Sequence, residues 1–108
     1  MGIKVGCDIV FLPRFEKILS RTPEIKDRIF SLREREGAGV KRLAGFFAAK
    51  EAAMKAIGFT AGDWRKIEIL PDQTGRPRLL MNGVSARNDL SISHDGDYVL
   101  AFVIFYDF

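Results

Sequence analysis

The stretch VKRLAGFFAAKEAAMKAI, residues 40–57, decides the fold of this 108-residue chain. Alanine, leucine, lysine and glutamate dominate it, no proline interrupts it, and Gly58 follows where a C-terminal cap belongs. At about 100° per residue, its apolar side chains form one stripe along a helix. That stripe comprises Val40, Leu43, Ala44, Phe47 and Met54. The pattern predicts one long helix at the core of the protein.

Shorter segments on either side of this helix show strand and helix patterns. Strands are expected at residues 2–12, 66–70, 78–81, 90–93 and 98–106, and short helices at residues 13–21 and 23–30. The second and third strands should form a hairpin through residues 72–75 (DQTG). The chain is therefore expected to be one α+β domain, residues 1–108, with a mainly antiparallel sheet packed on one long core helix with short helices.

Three outer segments carry apolar patterns that predict which faces are buried. In the first strand, one apolar face should hold Ile3, Val5, Cys7 and Ile9. Residues 98–106 (YVLAFVIFY) are apolar on both faces, which favours burial within the sheet or at a subunit interface. In the first short helix, one apolar face should hold Phe15, Ile18 and Leu19. Beside it runs a basic stripe of Arg14, Lys17 and Arg21.

The composition is that of an ordinary globular protein. Hydrophobic residues make up 47% and charged residues 29%, which excludes a disordered chain. No apolar run reaches the roughly 20 residues that span a bilayer, and the N-terminus lacks a signal-peptide pattern, so a cytoplasmic protein is expected. The net charge of +3 suits an acidic partner but does not form the dense basic stripe typical of nucleic-acid binders. Acidic proteins, phosphorylated small molecules and nucleic acid all stay open.

The chain has one cysteine, Cys7, and one histidine, His94. A single chain of this kind can form no internal disulfide and no tetrahedral structural zinc site, so any metal should be a hard cation held by carboxylates. A Cys7–His94 nucleophile pair is disfavoured, because Cys7 is expected to be inert on the buried face. Taken alone, His94 at a strand end is an ordinary surface histidine. No phosphate-cradling glycine loop of the nucleotide-binding folds occurs.

Two carboxylates break the apolar pattern. Glu51 falls within the apolar stripe of the long helix, and Asp8 lies inside the apolar first strand. Each has a structural interpretation: Glu51 can pair with Lys55 within the helix, and Asp8 can cap a loop or pair with a basic residue. Together they suggest a magnesium site, since magnesium prefers one or two carboxylates, several waters and phosphate oxygens. The residues alone therefore indicate metal-assisted phosphate chemistry.

Four segments, in order along the chain, resemble one known family. Residues 6–10 (GCDIV) resemble the opening G-x-D-I-V segment of the holo-acyl-carrier-protein synthases. Residues 47–56 (FAAKEAAMKA) resemble their central F-A-A-K-E-A-x-x-K-A helix, which is a specific motif. Residues 75–77 (GRP) are similar to their G-[KR]-P turn, and residues 90–94 (LSISH) to their late L-S-I-S-H strand. The resemblance covers nearly the whole chain.

This resemblance implies a reaction and a catalytic centre. These enzymes transfer 4'-phosphopantetheine from coenzyme A to a serine of an apo acyl carrier protein and release adenosine 3',5'-bisphosphate. By that likeness Asp8 and Glu51 would bind Mg²⁺, which bridges the pyrophosphate, and Lys55 would contact phosphate. Glu51, directly or through a metal-bound water, is the candidate for taking the serine proton.

The resemblance also implies binding surfaces and an assembly. The residues expected to hold the nucleotide end of coenzyme A are Arg76, Pro77, Ser93 and His94. The residues expected to dock the acidic carrier protein are Arg14, Lys17 and Arg21. Family members of this size are usually homotrimers with active sites between subunits, and the two-faced apolar strand at residues 98–106 fits that arrangement.

Some positions depart from the family pattern. Phe46 stands where arginine is common, so one anionic contact is missing from its usual place. Phe11 replaces a usual acidic residue, which weakens the argument for a third carboxylate. The loop before the long helix is shorter than usual, and residues 58–62 (GFTAG) match the family's glycine loop only loosely.

Three rival functions compete with the transferase. The first is a non-catalytic module of the same fold that binds an acidic carrier-type protein. The second is a small nucleic-acid-binding protein, which the scattered charges and the carboxylate at position 51 disfavour. The third is a Cys/His hydrolase, whose activity would depend on Cys7.

Overall fold

The computed structural model describes residues 2–58, 64–82, 84–85 and 87–106. Its four α-helices are α1 (Leu12–Arg21), α2 (Ile25–Ile29), α3 (Leu32–Arg35) and α4 (Val40–Ile57), and a 3₁₀ turn covers Trp64–Lys66. Its six strands are β1 (Ile3–Phe11), β2 (Ile67–Pro71), β3 (Pro77–Met81), β4 (Val84–Ser85), β5 (Asn88–Asp95) and β6 (Tyr98–Tyr106). All pairings are antiparallel and form two three-stranded sheets, β1-β6-β5 and β2-β3-β4. The α+β fold predicted from the sequence is confirmed.

The long helix α4 has the predicted bounds. Gly58 adopts the left-handed conformation at φ 78°, and its N–H donates to the Met54 carbonyl at 2.8 Å, which closes the helix. The buried surface of α4 is wider than the predicted apolar stripe, because it also includes the fully buried Ala48, Ala49, Ala52 and Ala53. Phe47, which was predicted to be in the stripe, is only partly buried. The helix packs against β1, β6 and β2 and therefore needs small side chains on several sides.

The backbone of strand β1 packs directly against the backbone of α4, and this close contact is made at Gly6. A Cβ atom at Gly6 would lie 1.9 Å from the Ala52 carbonyl oxygen, far inside any tolerable contact. Only glycine therefore lets β1 lie directly on the helix. Since side chains alternate along a strand, Asp8 and Val10 share the helix-facing side with Gly6.

The predicted buried face of β1 is wrong for the single chain. Ile3, Val5, Cys7 and Ile9 all point away from α4, and Ile3 and Ile9 are 69% and 60% exposed. The close approach at Gly6 selects the opposite face for the core, so apolar alternation alone gave the wrong answer. The expectation that Cys7 is inert core is corrected with it: the thiol is exposed.

Strand β6 is the central strand of its sheet and has two different faces. Val99, Ala101, Val103 and Phe105 are fully buried against α4. The other face continues the exposed apolar surface of β1; its exposed residues are Tyr98, Leu100, Phe102 and Tyr106. We call this combined surface of β1 and β6 the outer face.

The short helices differ from prediction in two respects. On α1, Phe15 and Leu19 are buried as expected, whereas Ile18 is 43% exposed because α1 rests on the core along a narrower stripe. The helix expected at residues 23–30 is the shorter α2, and a further short helix, α3, follows it that the sequence pattern did not predict. Helix α3 begins with a capping box, in which Ser31 and Glu34 satisfy each other's backbone N–H groups.

The remaining expectations concern the hairpin, the loops and the membrane. Strands β2 and β3 pair from Ile67↔Met81 to Pro71↔Pro77, which confirms the hairpin. In the glycine loop compared above, residues 59–62 lie outside the described part of the chain. Across the described residues, no helix is both long and apolar enough to cross a bilayer.

Candidate functional site

Asp8 and Glu51, 43 positions apart in sequence, line the same cavity of about 210 Å³. The cavity lies between β1, α1 and α4, and we call it the carboxylate cavity. Its lining includes Asp8, Phe11, Arg14, Ile18, Phe47 and Glu51. The close packing at Gly6 brings the Asp8 side of β1 onto the Glu51 side of α4. The structure thus brings together the two carboxylates that broke the apolar pattern.

Lys55 lies beside the pair, one helical turn after Glu51. Its Nζ donates to Asp8 Oδ1 at 2.8 Å and to the Cys7 carbonyl at 3.1 Å. The hydrogen bond to Asp8 is the main reason why the pKa of Lys55 is raised above its ordinary value. Asp8 therefore pairs with a basic residue, as one structural interpretation expected, and this pair joins strand to helix.

Among Asp8, Glu51 and Lys55, Glu51 is the residue whose charge is disfavoured by its surroundings. Partial burial raises the pKa of the Glu51 carboxyl above its ordinary value, and repulsion from Asp8 raises it further, while Lys55 partly offsets both. No described hydrogen bond neutralises this carboxylate. A cation placed between Asp8 and Glu51 would relieve the repulsion.

The donor set fits a magnesium ion. The described residues contain no group of three or more His, Cys, Asp or Glu side chains placed to hold a metal. Two carboxylates in an open cavity, however, are what magnesium uses when it keeps waters and takes further ligands from a phosphorylated substrate. Phe11, at the usual place of a third acidic residue, contributes an aromatic wall to the cavity.

A second cavity, of about 220 Å³, holds other residues singled out from the sequence. We call it the His94 cavity; its lining includes Arg42, Gly45, Phe46, Pro77, Ile92 and His94. It lies at the first turns of α4 and the end of β5, separate from the carboxylate cavity. Within one chain, Pro77 and His94 therefore do not share a cavity with Asp8 and Glu51.

Ser93 and Arg76 are placed differently from Pro77 and His94. Ser93 neighbours His94 on β5, so strand alternation directs it to the other face of the sheet. Arg76 Nη2 forms an ion pair with Asp89 Oδ1 at 2.6 Å, and Arg76 is not part of the cavity lining. Alternation also places Cys7 on the outer face and His94 on the inner one, so the two do not form a nucleophile pair.

The basic stripe of α1 starts at the mouth of the carboxylate cavity. Arg14, Lys17 and Arg21 are all exposed, and Arg14 also lines the cavity. The Arg14 guanidinium lies 5.7 Å from the Phe11 ring centroid, a cation–π distance that limits its motion. A partner held on this stripe would therefore have the carboxylates within reach.

Sequence reasoning missed a buried ion pair next to the site. Lys50 is fully buried, and its Nζ donates to Glu34 Oε1 at 2.7 Å, to the Ile29 carbonyl at 2.6 Å and to the Trp64 carbonyl at 3.1 Å. Burial lowers the pKa of Lys50, and Glu34 opposes that shift. The S-x-x-E capping signature at Ser31 could have located α3 and its glutamate.

The chain is similar in sequence to a known protein family and to individual relatives in it. The sequence profile of the family described as "4'-phosphopantetheinyl transferase superfamily" matches residues 4–103. The chain is 41% identical to the holo-[acyl-carrier-protein] synthase of Salinispora arenicola, covering 96% of this chain and 98% of the relative. It is 40% identical to the corresponding synthase of Leifsonia xyli, covering 93% and 92%.

Solved structures agree with these relatives. The ACPS–CoA complex of Chronobacterium ammoniagenes superposes with a TM-score of 0.83 at 34% identity over 96% of each chain. A holo-(acyl-carrier-protein) synthase from Bacillus anthracis, in complex with CoA (3',5'-ADP), gives a TM-score of 0.77 at 34% identity, over 94% of this chain and 93% of that one. Fold and sequence thus point to the same family.

Proposed function

The chain belongs to the 4'-phosphopantetheinyl transferase superfamily, and on that premise we propose that it is a holo-acyl-carrier-protein synthase. It transfers 4'-phosphopantetheine from coenzyme A to a serine of an apo acyl carrier protein. The observation that supports a catalytic centre at particular residues is that Asp8 and Glu51 line one open cavity, with Lys55 hydrogen-bonded to Asp8 beside it. The by-product would be adenosine 3',5'-bisphosphate, and the activity would serve fatty acid biosynthesis in the cytoplasm.

Asp8 and Glu51 would hold Mg²⁺. The support is their shared cavity and the raised pKa of Glu51, which burial and the charge of Asp8 cause. When bound, the ion supplies charge neutralisation to the pyrophosphate of coenzyme A. Lys55, one helical turn after Glu51 and hydrogen-bonded to Asp8, would supply its ammonium group to the phosphates.

Glu51 would act as the base. The reaction forms a bond between the serine oxygen and the β-phosphorus and breaks the bond from that phosphorus to the bridging oxygen, which leaves on the adenosine bisphosphate. The serine proton moves to Glu51, directly or through a water. Glu51 lines the open cavity, so its carboxylate is accessible to a serine that enters there.

The exposed stripe of Arg14, Lys17 and Arg21 would dock the carrier protein. A row of cations at the mouth of the carboxylate cavity attracts an acidic partner and chiefly raises its association rate. Docking there presents the partner's serine to Glu51.

Charge reversal on the stripe tests the docking surface. For Arg14→Glu we expect the KM for the carrier protein to rise on the order of tenfold, while the KM for coenzyme A changes little. Lys41→Glu, an exposed charge reversal on α4, is the matched control. Equal losses for the two substrates would show that the carrier protein docks elsewhere.

A homotrimer would explain both why the outer face exposes apolar side chains and why the two cavities are separate within one chain. The outer face exposes large apolar side chains of β1 and β6, an arrangement typical of an interface between subunits. In a trimer with active sites between subunits, the carboxylate cavity of one subunit would lie near the His94 cavity of the next. Coenzyme A would then span the interface, with its pyrophosphate at Asp8 and Glu51 and its nucleotide end at Pro77 and His94.

A mass-shift assay tests the function. The protein is incubated with coenzyme A, magnesium and apo acyl carrier protein, and we expect the carrier to gain the mass of one phosphopantetheine group. Asp8→Asn and Glu51→Gln should each lower the rate by about 10²-fold or more while circular dichroism stays unchanged. Omitting magnesium should have a comparable effect.

Two outcomes would redirect the assignment. An unchanged carrier mass with the wild type, although carrier and protein bind each other, would favour a non-catalytic carrier-binding module. Near-normal transfer by either variant in the presence of magnesium would show that the carboxylate cavity is not the catalytic centre. Cys7→Ser is the negative control and should keep its rate if the trimer forms.

A further inference from the structure

The sequence-based expectations left Arg42 without a role, yet it has a distinctive place. It lies in the first turn of α4, is exposed, and lines the His94 cavity. Its guanidinium carbon lies 5.5 Å from the centroid of the Phe46 ring, which is itself buried in the core. The aromatic ring therefore supports the guanidinium at the rim of the cavity.

The charge of Arg42 is available for a ligand. Within the described part of the chain Arg42 makes no ion pair, and its guanidinium contacts only the Phe46 ring. Arg76, near the same cavity, is instead engaged with Asp89 at 2.6 Å. An arginine that is held in position but not neutralised is suited to bind an anion through its fork of N–H donors.

The rest of the cavity indicates what accompanies that anion. Gly45, Phe46, Pro77 and Ile92 present mainly apolar surface, and His94 adds one polar ring. Such a lining accepts a flat heterocycle, while the cation at its rim accepts a charged group attached to it. The nucleotide end of coenzyme A has this composition: an adenine base and a ribose that carries a 3'-phosphate.

We propose that Arg42 is the residue that binds the 3'-phosphate of coenzyme A, with Phe46 as the support for its guanidinium. The inference rests on the proposed function, since it takes coenzyme A as the ligand. The pyrophosphate is already assigned to the carboxylate cavity, so the 3'-phosphate is the anion that remains for the His94 cavity. Arg42 would then allow the enzyme to distinguish coenzyme A from its 3'-dephospho form.

Calorimetric titration of the whole protein, without carrier protein, tests this directly. Wild type is expected to bind coenzyme A about tenfold or more tightly than 3'-dephospho-coenzyme A. Arg42→Ala should lose about that factor for coenzyme A and nothing for the dephospho form, so that the two affinities converge. Arg42→Lys, which keeps a charge without the fork, should retain part of the preference. Lys41→Ala removes an exposed neighbouring cation outside the cavity and should leave the preference intact.

Several results would overturn the proposal. These are a wild type without preference between the two ligands, equal losses for both ligands in Arg42→Ala, and an unchanged affinity for coenzyme A in that variant. The mass-shift assay separates this outcome from failure of the proposed function. Transfer by the wild type together with an unchanged preference in Arg42→Ala removes only the role of Arg42. The expected binding pattern without any transfer removes only the enzymatic assignment.

Discussion

Lys50 and Glu51 are consecutive residues of one helix and belong to opposite environments. Lys50 is fully buried and donates to a carboxylate and two backbone carbonyls. Its partner Glu34 also accepts the Ile69 N–H at 2.8 Å, and no buried side-chain polar atom of the described residues lacks a partner. Glu51 is half-buried, faces an open cavity and has Asp8, another carboxylate, as its neighbour.

The difference separates a charged pair that serves the structure from a charged pair that would serve the proposed reaction. The Lys50–Glu34 pair ties α2, α3, α4 and the 3₁₀ turn together and has no capacity left for a ligand. The Asp8–Glu51 pair, on an adjacent side of the same helix, is left electrostatically incomplete, and a cation or substrate would complete it. Three variants test this contrast.

Lys50→Met should give the largest effect on stability. Removing the lysine leaves Glu34 charged and buried without its cation, and we expect the free energy of unfolding to fall by about 3–5 kcal/mol in urea titrations. Lys41→Met, at an exposed position of the same helix, should change it by less than about 0.5 kcal/mol. Combining Lys50→Met with Glu34→Gln should recover part of the loss. A loss no larger than that of the control would show that the buried pair is not structural.

Gly6→Ala should have the next largest effect on stability, and it should also lower the transfer activity. The added Cβ meets the Ala52 carbonyl, so β1 must move off α4, at a cost of about 1–3 kcal/mol. Because Asp8 moves with β1, transfer measured by mass shift should fall more than the loss of folded protein explains. Gly39→Ala, where no atom lies within 4 Å of the new Cβ, is the control. Full activity in Gly6→Ala would contradict the positioning role of the close approach.

Glu51→Gln should have the smallest effect on stability, and in the opposite direction. The folded-state pKa of Glu51 is raised, so the folded protein binds the proton more tightly than the unfolded chain does. Wild type should therefore lose stability as the pH rises from about 4.5 through the raised pKa, and the loss should persist above it.

The variant lacks this titration and should be more stable than wild type at neutral pH, by less than about 1 kcal/mol because the site is partly solvated. Thermal unfolding from pH 4 to pH 8 measures the difference, with Glu16→Gln on exposed α1 as control. Adding magnesium should raise the melting temperature of wild type and not of Glu51→Gln. A variant less stable than wild type at neutral pH would show that Glu51 is structurally satisfied, like Lys50.

The sequence predicted the fold well where local pattern and packing agree. Apolar periodicity predicts the β2–β3 hairpin and the buried strand β6. It also predicts the bounds of α4, whose end is marked by Gly58. It does not predict the buried face of β1, because the contact of Gly6 with Ala52 is made across 46 residues and outweighs apolar alternation. The same holds for Lys50, whose partner Glu34 belongs to α3, a helix that was not predicted.

The candidate site was predictable in part. Asp8 and Glu51 could be singled out as carboxylates in apolar surroundings, and the structure does bring them to one cavity. Arg42 could not be found in this way, because an exposed arginine on a helix is ordinary until its cavity and its aromatic support are known. Pro77 and His94 line a separate cavity, and in the proposed trimer they would join the carboxylates across a surface that the sequence pattern of one chain does not encode.

The adjacency of positions 50 and 51 also makes α4 intolerant of changes in length. One extra residue inserted upstream within the helix would turn everything after it by about 100°, roughly the angle that separates the two side chains. Each charge would then leave the surroundings that suit it: the ammonium group would lose Glu34, and the carboxylate would turn from its cavity. Loops can generally lengthen at little cost, but an insertion in α4 would disrupt the core and the proposed catalytic centre in a single event.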